Sequence, residues 1–389
     1  MNPLPPEARL LLLACREDAA DRENGIRELL AGDLDWDRLL RWGHWHGVLP
    51  LLQRRLTALS DVGPPAAVRA ALARQVRDSA RRTLWLIHEL LRLLKLLGEE
   101  GVTALPLKGP VLAATAYPDP GLREYDDLDL LVRPRDLPLV AGLLRSEGYA
   151  SRDDLAGGRP GVLRRIWYVH AYRHPASGID VEVHWRLAPS YFPTGSAVEG
   201  IWARAVRESV FGSELLVPSP ADLLLAACIH GAKTEPLAWS RLKWSVDIAQ
   251  LLRTGPLDWD LLMSRARSAG CRRAVSLGLE MGRAVVGFEL PGSVASLLAA
   301  DSTSVALAGE IRSEMFRPEP RVTPASRLRF ELRVRERMAD RAVVVLRRLL
   351  LPDITDLGRV RLPRPLGFLY YPLHWMRVVW SGLLGPWRG

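Results

Sequence analysis

The 389-residue sequence has little cysteine, no long apolar run and no basic strand interleaved with aromatics, and each shortage removes a class of function. Its three cysteines, Cys15, Cys228 and Cys271, are widely separated. They form neither a spaced metal motif nor a paired disulfide framework, which suits a reducing cytoplasm. No uninterrupted apolar stretch approaches the ~20 residues of a membrane span. The opening MNPLPPEARLLLLAC has the outline of a lipoprotein signal, but its apolar core is only Leu10 to Ala14. A signal needs roughly 7–15 such residues, so the segment is expected to be the first helix. Without a recognisable nucleic-acid module, nucleic acid ranks last among possible partners despite a net charge of +9 and a pI near 9.9.

What is present is a globular composition, 48% hydrophobic and 25% charged, which excludes wholesale disorder. The length exceeds one ordinary core. Changes in pattern divide it into an N-terminal helical region (1–100), an α/β core (101–217), a C-terminal helical domain (218–351) and a Pro- and aromatic-rich tail (352–389). The positive charge favours anionic partners, whether nucleotides or an acidic membrane surface; solvated arginine-rich helix faces would give the same excess.

Residues 7–60 read as helices. Asp35 is placed to cap one through Trp36, Leu39, Leu40 and Trp42. His44 and His46, in GHWHG, have neither a third ligand nor helical i, i+4 spacing, so packing is expected there. Pro64 or Pro65 opens a long helix with a stripe at Val68, Leu72, Val76, Ala80, Leu84, Ile87, Leu91 and Leu94, ended by Gly98. Beyond Gly101 the pattern changes. A strand is expected in VTALPL, a turn at Lys108-Gly109, a helix over 111–117, a strand over 125–132 and a helix over 138–147. Two further strands, 165–173 and 179–187, are joined by HPASG as a hairpin. Helices resume at Ser219-Pro220, over 239–252 and after Asp258. LDWDLLMSRARSAGC echoes LDWDRLLRWGHWHGV, read as two similar helix starts because no fixed period recurs.

The chemistry is concentrated between Leu105 and Val132. Asp127 and Asp129 are one residue apart on a strand and so share a face. Paired acids of this kind suit a divalent ion, Mg²⁺ with phosphate ligands being the usual case. IDVEVHWRL offers a third carboxylate: Asp180, Glu182 and His184 alternate onto one face, with Ile179, Val181 and Val183 behind. His184 could orient a carboxylate, touch substrate or pack beside Trp185. His230 and Lys233, at i, i+3 on one helix face, could reach the same site from the helical domain.

The order LKG, R-x-x-DDLDLLV, a helix ending EGY, and VEVHWRL resembles the uncharacterised bacterial nucleotidyltransferases of the polymerase-beta-type superfamily. PSPADLLLAACIHGAK, WSVDIAQLL and LDWDLL downstream, and DWDRLLRWGHWHGVLPLLQRRL upstream, extend the likeness over roughly residues 30–290. The resemblance implies an α/β (α+β) fold: a small mixed-sheet nucleotidyltransferase core between helical regions, using Mg²⁺ in a two-ion site and a nucleoside triphosphate, ATP among the candidates. It places Asp127 and Asp129 as the metal pair and Glu182 as the third acid, with Asp180 as the alternative. Gly109 becomes the glycine that lets backbone approach phosphates, although the superfamily usually has Gly-Ser close before its acids and here a helix intervenes. Lys108 would meet phosphate as a point charge and Arg123 as a bidentate donor; Arg123 could instead pair with Glu124 or Asp126.

The implied activity is Mg²⁺-dependent transfer of a nucleoside monophosphate to a hydroxyl of a small molecule or protein. A catalytically weak scaffold that keeps the fold is the alternative. The tail offers Phe368, Leu369, Trp375, Val379, Trp380 and Leu383 with Arg377 and Arg388, a composition compatible either with a membrane surface or with packing over the helical domain.

Overall fold

The computed structural model describes residues 4–16, 19–59, 61–152, 167–194, 197–233, 238–317, 323–351 and 364–384, with side chains as far as Arg377 in the last segment. The first residues of the 165–173 strand and Arg388 lie outside them, as do the side chains of Val379, Trp380 and Leu383.

Helices α1 (Pro6–Cys15), α2 (Ala19–Leu30), α3 (Trp36–His46) and α4 (Leu49–Ala58) open the chain. Asp35 caps α3 by accepting the Arg38 backbone N–H at 2.8 Å, and Gly47 closes it at φ 66°. The echoing segment repeats this construction. Asp258 accepts the Leu261 N–H at 2.9 Å, and Gly270 ends the helix at φ 77°. The expected pair of similar helix starts is what forms.

Helix α5 (Ala66–Glu99) is 34 residues long. It begins after Pro65 as the sequence suggests, but Gly98 stays helical and the left-handed turn falls at Gly101, φ 75°. Its buried stripe also differs from the expected one. Leu72 is buried, but further along Leu86, Leu90, Leu93 and Leu97 face inward while Leu84 stands 66% exposed. The leucine run is apolar on two adjacent faces, so periodicity alone does not select one; contact with the sheet does.

That sheet has the order β1 (Ala104–Pro106), β2 (Asp127–Val132), β5 (Asp180–His184), β4 (Val169–Arg173), β3 (Ala150–Ser151). Strands β2 and β5 are parallel and the other pairs antiparallel, β4–β5 being the expected hairpin. Helices α6 (Pro110–Ala116) and α7 (Leu137–Ser146) flank β2 in sequence. One sheet face buries Leu128, Leu130, Val132, Val181 and Val183 against the α5 leucines and Val140 and Leu144 of α7. The opposite face looks toward the helical part; it carries the polar side chains together with Leu105 and Leu131, which pack into the helical cluster.

The sequence reading did not anticipate the short strand β3, α8 (Ala197–Ala203) or the hairpin β6 (Val206–Val210)–β7 (Ser213–Val217). The hairpin turns through Phe211 at φ 51° and Gly212 at φ 75°. Two left-handed residues suit a tight hairpin, but the usual Asn-Gly or Asp-Gly cue is missing.

Helices α9 (Pro220–Lys233), α10 (Leu242–Leu251), α11 (Trp259–Ala269) and α12 (Arg272–Val286) follow. They share one hydrophobic cluster with α1, α3 and α4. In α12, Gly278 lets the helix close on α9: a Cβ there would lie 2.5 Å from Cys228 Sγ. Helix α10 starts at Leu242 rather than near Trp239, whose left-handed backbone (φ 52°) and fully buried ring belong to the preceding turn. Helices α13 (Gly292–Ala300), α14 (Ser302–Glu314), α15 (Pro324–Val334), α16 (Met338–Leu350) and α17 (Tyr370–Leu384) complete the described chain. No single described helix is long and apolar enough to cross a membrane.

His46 is fully buried, edge-on to Phe316 at 4.8 Å, and its Nδ1 accepts the Leu242 N–H at 3.4 Å. Burial, reinforced by Arg241, pushes its pKa down to about 3. Packing, not metal binding, is its role. The unfolded chain therefore binds a proton at this site between about pH 3 and 6.5 that the folded chain does not, so stability rises with pH across that window. Urea unfolding should show His46 contributing about 2 kcal/mol less stability at pH 5 than at pH 7, and His46→Leu should remove that part of the slope.

Candidate metal centre

The parallel register of β2 and β5 sets Asp127 opposite Asp180, Asp129 opposite Glu182 and Leu131 opposite His184. Residues directly opposite on paired strands share a face, so the acids and His184 all lie on the side away from the α5 leucines. Asp129 is 3% exposed, and its Oδ1 lies 2.8 Å from both Lys108 Nζ and His184 Nε2. The same His184 Nε2 is 3.2 Å from Glu182 Oε2. One ligand atom each from Asp129, Glu182 and His184 fall within 4.8 Å of one another.

Lys108 lies a helix away from the acids in sequence but beside them in space. Strand β1 runs antiparallel to β2, and the Leu107 N–H donates to the Asp129 carbonyl at 3.0 Å, carrying Lys108 onto the carboxylate. Gly109 follows at φ 59°, and a Cβ there would lie 3.2 Å from the Asp127 carbonyl oxygen. A turn this close to another backbone favours glycine on both counts.

Charge in this site is unevenly compensated. Burial works to raise the Asp129 carboxyl, but Lys108 and His184 outweigh it and hold it well below the usual range. Glu182 is held down likewise, the hydrogen bond from His184 overcoming burial. Burial would lower the Lys108 ammonium, yet Asp129, Asp127 and Glu182 together raise it. Asp127 is different: burial and then the negative charge of Asp129 push it up to about 6.

The other expected residues are distributed as follows. Asp180 is held at the outer end by Arg173 (2.9 Å) and Arg152 (3.5 Å), so of the two candidate third acids Glu182 is the one beside Asp129. Arg123 is buried, and its guanidinium grips Asp247 of α10 through Nε (2.7 Å) and Nη2 (2.9 Å) while Nη1 reaches the Gly109 carbonyl at 3.3 Å. The Tyr117 hydroxyl donates to the same Asp247 at 2.6 Å. Arg123 thus pairs with neither Glu124 nor Asp126, and a phosphate contact from it would require breaking this network. On α9, Lys233 donates to the Leu187 carbonyl at 2.7 Å and sits 4.1 Å from the Tyr168 ring. Burial and then Lys108 push Lys233 down to about 7, opposed by Asp129 and Glu182. His230 is edge-on to Trp244 at 5.2 Å, and burial, then Lys108 and Lys233, holds it well below its usual value. Both α9 residues are within electrostatic reach of the acidic strands.

The family model of an uncharacterised nucleotidyltransferase family matches residues 32–287. The chain belongs to that family. A comparison with curated protein sequences found no match. In this nucleotidyltransferase the matched region runs from just before α3 to just past the end of α12, and includes both acidic strands, the Lys108-Gly109 turn and Asp247. Such enzymes are transferases of phosphorus-containing groups.

A divalent cation fits the donors present. Three carboxylates, Asp127, Asp129 and Glu182, act on one another electrostatically, and Asp127 is raised by burial first and then by the charges of Asp129 and Glu182, which Lys108 only partly offsets. Carboxylate oxygens are hard donors of the kind Mg²⁺ takes, whereas an imidazole nitrogen suits His184 better to orienting Asp129.

Sequence reasoning passed over Asp247, Tyr117, Tyr168 and Lys243, the last donating to the Glu124 carbonyl at 3.2 Å. Asp247 did carry a signal. It stands between Val246 and Ile248 in a helix segment whose neighbours are all buried, where an unpaired acid would be costly. Asp247→Asn should leave the buried Arg123 charge uncompensated and lower unfolding stability in urea by about 3–5 kcal/mol. Tyr117→Phe, which removes one hydrogen bond only, should lower it by about 1 kcal/mol.

Proposed function

We propose that the protein transfers a nucleoside monophosphate from a nucleoside triphosphate to a hydroxyl of a small molecule or protein, with Mg²⁺ and with release of pyrophosphate. The observation that carries this reading is the convergence of Asp129, Glu182 and His184 within 4.8 Å beside the Lys108 ammonium, in a chain of nucleotidyltransferase family. A bond forms between the acceptor oxygen and the α-phosphorus, the anhydride bond to the β-phosphate breaks, and the hydroxyl proton leaves to a carboxylate.

Each residue has a part in that exchange. Asp127, Asp129 and Glu182 would hold the divalent ions, whose chemistry is to place positive charge on the phosphate oxygens and lower the acceptor pKa. Glu182 would take the hydroxyl proton, a role supported by its being half-buried rather than sealed like Asp129. His184 fixes the Asp129 carboxylate, and Lys108, now on Asp129, would hold a phosphate. Gly109 allows phosphate to approach the backbone. Lys233 supplies a second cation from α9 for the outer phosphates, and His230 shapes the wall beside it.

One observation favours the scaffold reading: Asp129 Oδ1 is already held by both Lys108 and His184. Radiolabelled triphosphates distinguish the two. Wild type should label an acceptor in the presence of Mg²⁺, with loss in EDTA and a fall of about 100-fold or more in Asp129→Asn. Absence of transfer from all four common triphosphates, with nucleotide still bound, would instead support a scaffold.

Lys233 gives a separate test. Only its ammonium form attracts phosphate, so triphosphate affinity should fall as pH rises through about 7. Bound phosphate stabilises that form, so binding above pH 7 should take up a proton. Calorimetry in buffers of different ionisation enthalpy should show this uptake in wild type and its loss in Lys233→Met.

A further inference from the structure

Helix α16 turns most of its apolar surface outward. Met338, Val343, Val345, Leu346, Leu349 and Leu350 are all between 38% and 72% exposed, while Val344 alone of the helix is fully buried. At 100° per residue the six exposed side chains, with Ala339 and Ala342, fill an arc of roughly 160° that no charged residue interrupts. Arginines border it on both sides. Arg341 donates to the Arg335 carbonyl and Arg348 pairs with Glu331 at 3.0 Å, while Arg347 on the other edge lies 3.8 Å from the Tyr191 ring. An isolated exposed leucine needs no explanation, but a contiguous face of this width does.

The neighbourhood is basic and ends in aromatics. Residues 324–350 hold eight arginines against three acids, more than half of the excess carried by the whole chain. Helix α17 lies beside α16, with His374 Nε2 3.0 Å from the Arg348 carbonyl. It buries Tyr370 and His374 but leaves Trp375 48% and Met376 61% exposed, and Phe368 just before it is 64% exposed. Helix α17 thus packs on α16 with one face and presents large apolar side chains with another.

We propose that α16, with α17 beside it, seats the protein on an anionic lipid bilayer, the apolar arc entering among the headgroups and the bordering arginines meeting their negative charge. Wide apolar arcs flanked by arginine and accompanied by tryptophan are what an in-plane interfacial helix requires. A second copy fits less well. A two-fold contact through this face would bring the same arginine surplus against itself. The contact is peripheral, and it is independent of the nucleotidyl-transfer reading because it uses none of the site residues.

Co-sedimentation of the full chain with phosphatidylcholine vesicles, with and without phosphatidylserine, tests this. Binding should appear with phosphatidylserine, weaken as salt is raised, and fall about tenfold or more in Leu346→Glu/Leu349→Glu. Both positions are exposed, so the melting temperature should be unchanged, and Leu84→Glu on exposed α5 should bind like wild type. Binding that is equal on both vesicle types, or retained in the double variant, would overturn the proposal. So would a wild-type dimer, seen by sedimentation velocity, that fails to bind vesicles and becomes monomeric in the double variant; that result assigns the face to a second copy.

Discussion

Asp129 and Glu182 stand opposite each other on two parallel strands, and the rest of the site answers to the cost of that arrangement. Two carboxylates this close, one of them almost sealed from water, repel unless cations or donors are supplied. His184 bridges them, and Lys108 closes on Asp129 from β1. The register itself is set by the other face of the sheet. A slip by one residue would turn Val181 and Val183 toward the site and the acids toward the α5 leucines, an exchange that hydrophobic burial forbids.

The helical part does more than cover the sheet. Asp247 on α10 holds Arg123, Arg123 holds the Gly109 carbonyl, and Gly109 precedes α6 while following Lys108. This ties the Lys108-Gly109 turn to a helix packed on α12, more than a hundred residues away in sequence. From the same side α9 brings Lys233 and His230 toward the acids. The sheet therefore supplies the negative charge, the Lys108 turn the cation nearest to it, and α9 a second, Lys233, whose charge burial weakens.

Much of this was legible in the residues. Alternation on DLDLLV and IDVEVHW put the acids on one face, because strand side chains have a fixed period and the intervening residues are aliphatic. The caps at Asp35 and Asp258 were legible because a short polar side chain before an apolar-periodic segment has one favourable use. The stripe on α5 was not, since a leucine run satisfies two registers equally until a sheet chooses. The β6–β7 hairpin turns at Phe211-Gly212, where the glycine suits a turn but a phenylalanine stands in the left-handed position usually taken by Asn or Asp. Arg123 looked like a phosphate ligand because its partner Asp247 lies 124 residues on, and no local rule connects them. Lys108 looked misplaced for the converse reason: antiparallel pairing of β1 with β2 shortens a distance that the intervening helix seems, in sequence, to lengthen.

The most direct test of the account is a crystal structure with Mg²⁺ and a triphosphate analogue whose α–β bridge resists cleavage. That structure should show an ion bound by Asp129 and Glu182, Lys108 moved from Asp129 to a phosphate oxygen, and Arg123 still on Asp247. An analogue bound elsewhere, or bound here with no ion and with Lys108 still on Asp129, would contradict it.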